Sequence, residues 1–230
     1  MHDLTHFICL VEFLGQALGP TYEIVLHDLK KPDHSIIAIA NGNLSGRSIG
    51  GPLTDLALKL LQQHHLDKKP FLVNYHGKSS QDHVFLCSSY FIHDENGQAI
   101  AILCINHDIA PYLAARQFLT EEIIKDQPPA AAQRKPSMHM RPQEQPTASL
   151  NIFENFQGNV GDVITALINN TMHAYRLPPS RLSAAERQAI VQELDDNGLF
   201  LLKGGLPALA KFLSVSEPTI YRYLSKIKKK

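Results

Sequence analysis

The chain has 230 residues, long enough for one large domain or two small ones, and its 44% hydrophobic content is ordinary for a soluble globular protein. No apolar run reaches the roughly 18 residues of a membrane helix, and the N-terminal MHDLTHFICLVEFLGQ lacks the basic region of a signal peptide. Lys/Arg and Asp/Glu balance at 22 each, but residues 1–126 hold 9 basic against 14 acidic side chains and residues 203–230 hold 7 against 1, so a polyanion is expected at the C-terminal end.

In chain order, Leu4, Phe7, Val11, Leu14 and Leu18 recur at helical spacing and predict a helix over 3–18, stopped by Gly19-Pro20. YEIVLHDL and HSIIAIAN read as strands. Between the second strand and the next helix lies NGNLSGRSIGGPL, with four glycines in thirteen positions. A phosphate-binding P-loop needs a lysine and a hydroxyl after its last glycine, to neutralise phosphate and to hold magnesium. Here Pro52-Leu53 follow Gly51, and the dinucleotide fingerprint is absent too, so a nucleotide enzyme is excluded. Two readings stay open: a turn, or a helix N-terminus that receives an anion with Arg47 beside it. PLTDLALKLLQQHHL then predicts a helix with Leu53, Leu56, Ala57, Leu60 and Leu61 on one face and Pro52 in its first turn. FLVNYHG, VFLCSSYFIHD and AIAILCINHDI are three further strands, the last two joined by the hairpin signal DENG. About five antiparallel strands with helices inserted after the second is the order of a PAS-like sensor domain.

Residues 127–150 hold five prolines and one leucine, which can neither bury a core nor sustain a helix. The expected organisation is therefore α+β: a PAS-like unit over 1–118, a Pro-rich linker over 119–150, and an all-α unit over 151–230. Such a linker leads one to expect units that share few contacts. In the second unit Val160, Val163, Ile164, Leu167, Ile168, Met172 and Tyr175 form one stripe, and Ser183 with Glu186 has capping-box spacing ahead of a stop at Gly198. From Leu206, the apolar positions Leu209, Leu213, Val215, Ile220 and Tyr223, with small Ala210 at the crossing, have helix-turn-helix spacing. That pattern locks two helices by their inner faces and leaves the outer face of the second to enter a major groove. The outer face offers Ser216, Glu217, Pro218, Tyr221, Arg222 and Ser225, with Arg222 suited to reading guanine. Lys226, Lys228, Lys229 and Lys230, joined by Lys211, suit phosphates.

No structural zinc quartet or HExxH motif organises the twelve histidines, and the three cysteines have no metal-type or paired spacing. An odd count without an export signal points to reduced thiols in the cytoplasm. No catalytic constellation emerges: Cys87 and Ser89 read as strand alternation, and no placed base accompanies them. Neither a metal nor another cofactor is expected. For a ligand pocket, the polar residues set in apolar runs are His27, Asn41, Arg47, Thr54 and Asn106; the alternative is that such groups satisfy strand-end backbone.

Several of these stretches resemble the YheO-like bacterial transcriptional regulators, a family related to the D-arginine utilisation repressor. They are YEIVLHDL, IANGNLSGRSIGGPLTDLALKLL and AILCINHDI in the first unit, with LSAAERQAIVQELDDNGLF and LSVSEPTIYRYL in the second. The resemblance spans most of the chain outside the linker and implies a PAS-like domain followed by a DNA-binding helix-turn-helix. The expected protein is a cytoplasmic, non-enzymatic regulator of transcription that binds double-stranded DNA and has no membrane partner. Its PAS-like domain senses a small ligand or a partner, or only dimerises; a metabolite-binding enzyme with a basic tail is the rival from another class. A homodimer is expected, with the Val160–Tyr175 stripe or the Leu4–Leu18 helix as interface unless these are core.

Overall fold

The computed structural model describes residues 4–64, 66, 70–79, 83–121, 153–175 and 178–227. Helix α1 (Thr5–Leu18) is followed by strands β1 (Tyr22–Asp28) and β2 (Ile36–Ala40), and the glycine stretch leads into helix α2 (Asp55–Gln62). Pro52 does not sit in the first turn of α2 as the sequence predicts. Thr54 takes the cap, its Oγ1 accepting the Ala57 N–H at 3.2 Å, and Pro52 lies outside the helix. Strands β3 (Phe71–Ser79), β4 (Val84–His93) and β5 (Ala99–Asp108) and helix α3 (Ala110–Leu119) complete this part of the chain. The β4–β5 hairpin turns on DENG as expected, with Gly97 at φ +78°.

The sheet has six strands, one more than expected, in the order β2-β1-β5-β4-β3-β6. The sixth, β6 (Phe153–Phe156), follows the Pro-rich segment and pairs parallel with β3, so the sheet is mixed. Residues 153–156, which the sequence reading assigns to the helical unit, thus belong to the sheet. FENF is too short to show an alternation, and its partner strand lies far away in sequence, so no local signal marks it.

Side chains of β1 are buried on both faces because both faces of the sheet are covered. Ile24 and Leu26 join Ala38, Ala101 and Leu103 beneath Val11 of α1. Strand alternation turns Glu23, Val25 and His27 to the opposite face, which α2 covers. Beyond α2 lie α4 (Val160–His173), α5 (Ala184–Asp196), α6 (Gly205–Phe212) and α7 (Glu217–Ile227). Val25, Ile36, Leu58, Phe91 and Ile102 of the first unit share one apolar cluster with Ile164, Leu194, Leu199, Leu209 and Ile220 of the second.

The expectation of two sparsely connected units is therefore corrected. Leu58 is fully buried although it lies off the predicted α2 stripe, because α2 is sandwiched between the sheet and the helical unit. Gly198, at φ +80°, lies so close that a Cβ on it would come within 2.8 Å of the Leu58 carbonyl oxygen. The Lys203 N–H bonds to Asp33 Oδ1 at 2.8 Å across the same junction. The α4 stripe is core: Val163, Ile164, Leu167 and Ile168 are buried in the shared cluster. On α1, by contrast, Ile8, Phe13 and Leu18 remain exposed. Among the described residues no helix is long and apolar enough to cross a membrane.

Candidate functional site

The inner face of the sheet carries a polar cluster that alternation alone puts there. Glu23 and His27 of β1, Cys104 and Asn106 of β5, Ser89 of β4, Tyr75 of β3 and Glu154 of β6 are all buried. Register sets Glu23 opposite Asn106, Ser89 opposite Cys104, and Glu154 opposite Gly77. Gly77 has to be glycine: a Cβ there would stand 2.7 Å from Cys87 Sγ and 2.8 Å from Cζ of Phe156.

Arg47 of the glycine stretch turns inward and is only 5% exposed. Its Nε and Nη2 donate to Glu23 Oε1 at 3.1 and 2.9 Å, and the Ser45 hydroxyl donates to the same oxygen at 2.9 Å. The guanidinium lies 4.0 Å from the centroid of Phe156, over its ring. Burial works against the charge on Arg47, but Glu23 and then Glu154 outweigh it and raise its pKa. Burial likewise raises Glu23, opposed by Arg47 and Ser45. Three donors meet Oε1, whereas among the described residues Glu23 Oε2 has no hydrogen-bond partner and neither amide atom of Asn106 has one.

A second group joins β6 to the start of α2. The Thr54 hydroxyl donates to Glu154 Oε1 at 2.5 Å. Asp55 accepts the Asn155 N–H at Oδ1 (2.9 Å) and the Asn155 side-chain amide at Oδ2 (2.6 Å). At the N-terminus of α2 it is a carboxylate of the chain itself, Asp55, whose Oδ1 accepts the Leu56 N–H at 2.8 Å, while Glu154 is held by the side chain of the cap residue Thr54. Burial pushes Glu154 up to about 7; Thr54 and Arg47 pull it down, Asp55 pushes it up, and the nearby Tyr75 hydroxyl pulls it down. Among the described residues Glu154 Oε2 has no hydrogen-bond partner.

Between these groups and α2 is a cavity of about 10 Å³, lined by His27, Tyr75, Ser89, Cys104 and Glu154 among apolar side chains of α2, β3, β4 and β5. That is room for about one water. His27 Nδ1 is 2.8 Å from the Ser35 hydroxyl, and burial followed by the charge of Arg47 lowers its pKa to about 3, so the ring is neutral. Tyr75 Oη pairs with Ser89 Oγ at 2.8 Å, and Ser89 Oγ lies 3.2 Å from Cys104 Sγ. Burial raises the Cys104 thiol to about 12 and the Cys87 thiol higher still, so both are protonated and poor nucleophiles.

Of the five expected pocket residues, the structure brings His27, Arg47, Thr54 and Asn106 to this inner face. Only His27 lines the cavity itself. Asn41 lies apart: at φ +56° its amide donates to the carbonyls of Gly19 (3.1 Å) and Tyr22 (2.7 Å), holding the entry to β1. Sequence reasoning missed Glu23 and Glu154. A charged residue at an inward position of YEIVLHDL was a legible signal for the first. Nothing local marks the second.

In the helix-turn-helix, Leu209, Ala210, Leu213, Ile220 and Tyr223 are buried as the spacing requires, and Val215 is half-buried. Ser216, Glu217, Pro218, Tyr221, Arg222, Ser225, Lys226 and Lys211 are all exposed, Tyr221 by 59%. Lys228, Lys229 and Lys230 lie outside the described residues. Ser214, where a glycine is common, holds φ +53°.

Residues 1–123 match the YheO-like PAS domain. The chain belongs to this family. A separate match to a helix-turn-helix domain covers residues 163–225 of the YheO-like chain. YheO of Escherichia coli is 26% identical over 226 residues, covering 98% of this chain and 85% of that protein. A Haemophilus influenzae protein is 26% identical over 227 residues, 98% and 91% of the two chains. The transcriptional regulator DauR of Pseudomonas aeruginosa is 23% identical over 234 residues, 98% and 95% of the two chains. Among solved structures, the dark state of the Aureochrome1 LOV photoreceptor domain aligns with a TM-score of 0.31 at 16% identity, over 54% of this chain and 98% of that one.

Proposed function

We propose that this YheO-like protein is a cytoplasmic DNA-binding transcriptional regulator, whose PAS-like domain senses a small ligand or partner and biases operator binding by α6 and α7. The observation that carries the reading is the division of α7: Ile220 and Tyr223 are buried, while Tyr221, Arg222, Ser225 and Lys226 stand outward together. A helix fixed on its inner face and lined with donors on its outer face is suited to a major groove. The full-length relationship to DauR supports regulation of transcription.

Coupling has a short physical route. β6 is gripped at Thr54 and Asp55 of α2, and α4 begins at Val160, only a few residues beyond Phe156. A change at the inner face that moves β6 or α2 is therefore transmitted directly to the helical unit. The buried polar cluster favours a sensing domain over one that only dimerises, since dimerisation needs no charge inside. We assign dimerisation to the outer side of α1, where Ile8, Phe13 and Leu18 are exposed.

The test is selection of genomic fragments by the full-length protein, followed by binding titrations on the enriched sequence at two salt concentrations. Enrichment of one sequence, with affinity falling steeply as salt rises, is expected. Uniform recovery of fragments, or affinity indifferent to salt, would refute DNA regulation by this surface.

A further inference from the structure

The cavity between α2 and the sheet has a one-sided chemistry. Glu154 is 4% exposed and its Oε2 has no hydrogen-bond partner among the described residues, a costly arrangement for a buried carboxyl oxygen. Ser35 Oγ is placed to donate to the Gly51 carbonyl at 3.4 Å, so the Nδ1–H of His27 donates to Ser35 and leaves Nε2 an acceptor. The hydroxyls of Tyr75 and Ser89 pair with each other at 2.8 Å, and the Tyr75 hydroxyl also lies close enough to Glu154 to pull its pKa down. Arg47, the one buried cation among the described residues, is spent on Glu23. No cation among them is left over to pair with Glu154, so an occupant that brings donors and a positive charge suits these walls best. An anion would oppose the ionised form of Glu154, whereas a cation favours it. The remaining wall is apolar, and Leu56, Leu60 and Leu72 are half-buried members of it. At about 10 Å³ the space holds a group the size of one water, which is also the size of an ammonium head.

We propose that this cavity is a binding site for a small primary amine, its ammonium group seated on Oε2 of Glu154 and its alkyl tail leaving between Leu60 and Leu72. The ammonium supplies three donors and the charge that the Glu23–Arg47 pair leaves unbalanced. A short chain lies against Leu60 and Leu72, which separate slightly to admit it. Occupancy places the ligand against β6, so its effect on DNA rests on the sensor reading above, whereas its binding does not.

The experiment uses the full-length protein, with methylammonium, propylammonium and butylammonium chloride compared against tetramethylammonium and sodium chloride at equal ionic strength. Binding is read by thermal melting and by titration calorimetry. The primary amines are expected to raise Tm in a saturable way, more so with the longer tail, while tetramethylammonium, which has no N–H, does nothing beyond sodium. Glu154→Gln should weaken amine binding at least about tenfold. Ala57→Val, which fills the cavity and leaves Glu154 in place, should also weaken it, and serves if the first variant does not fold. Equal shifts with tetramethylammonium overturn the proposal, as does a response unchanged in the folded variants, or no response to any amine. DNA affinity measured in the same samples separates the two claims. Amine binding that leaves DNA affinity untouched upholds the site and breaks the sensor reading; DNA binding without any amine binding overturns the site alone.

Discussion

The inner face of the sheet and the outer face of α7 hold charge in opposite ways. Inside, Glu23, Arg47 and Glu154 are withdrawn from water, the carboxylates held by Ser45 and Arg47 of the glycine stretch and by Thr54 at the start of α2. Outside, Lys211, Arg222 and Lys226 stand in solvent on a frame whose own stability comes from buried apolar side chains. Buried charge costs desolvation and survives only if its partners are in place. Exposed charge costs little and is available to a partner. Inner substitutions should therefore read out first as stability, reaching DNA only through β6 and α2, and outer ones as affinity alone.

The largest expected effect is on Arg47. Arg47→Ala leaves Glu23 buried without its cation and should cost about 3–5 kcal/mol in chemical denaturation. Replacing both partners, Glu23→Leu with Arg47→Leu, should recover much of that loss, because no lone charge remains inside. A single-variant cost below about 1 kcal/mol would mean that the pair is solvated, and the contrast with the outer face would fail.

Glu154 gives the next effect, and its sign follows from its shift. Its folded pKa is about 7 against 4.5 unperturbed, so the folded state keeps a proton that the unfolded state releases in that window. Its contribution is present below pH 4.5 and is lost as pH rises through 7, about 3 kcal/mol in all. His27 runs the other way: lowered to about 3, it adds stability as pH rises from there to its unfolded value of 6.5. The wild-type profile mixes the two, so the readout is the difference between Glu154→Gln and wild type. The groups around Glu154, namely Thr54, Arg47, Asp55 and Tyr75, are the same in both proteins. The variant should gain on wild type steadily from pH 4.5 to 7 and hold the gain above. A difference that does not change with pH means that Glu154 does not titrate in this window.

How much of this was legible in the sequence follows the same division. The outer face could be read because helix-turn-helix spacing is local: Leu209 to Tyr223 fixes which side is buried, so Arg222 and Lys226 follow. Five strands and their order came from alternation and turn residues. Glu154 was not legible, since β6 is four residues long and its meaning comes from pairing with β3 across the Pro-rich segment. The shared core was hidden for a related reason. Leu58 lies off the one-sided stripe of α2, and only the second unit packed behind it explains a leucine there. His27 and Arg47 stood out as polar residues in apolar surroundings, but Arg47 proved to be occupied with Glu23.

On the outer face, Arg222→Ala should cost about 1–3 kcal/mol in operator binding and relax preference at one position of each half-site. Lys226→Ala should weaken operator and scrambled duplex alike and flatten the salt slope by about one unit per protomer. Both variants should keep wild-type stability to within about 0.5 kcal/mol. If Arg222→Ala loses both duplexes equally, Arg222 is a phosphate contact and α7 enters the groove by another face.

The smallest effect tests the frame rather than the charges. Ser214 sits between α6 and α7 with φ +53°, a conformation that a residue with a Cβ adopts only at a cost. Its side chain is exposed, and its N–H bonds to the Lys211 carbonyl at 3.2 Å, a bond that glycine can make equally well. Ser214→Gly removes the strain but adds freedom to the unfolded chain, which offsets part of the gain. The net should be about 0.5–1 kcal/mol of added stability, with DNA affinity unchanged. Because the turn sets the angle at which α7 leaves α6, this substitution separates stability from recognition without touching a charge. Loss of stability would place residue 214 outside the left-handed region; loss of operator affinity at unchanged stability would make the Ser214 hydroxyl a DNA contact and extend the outer face into the turn.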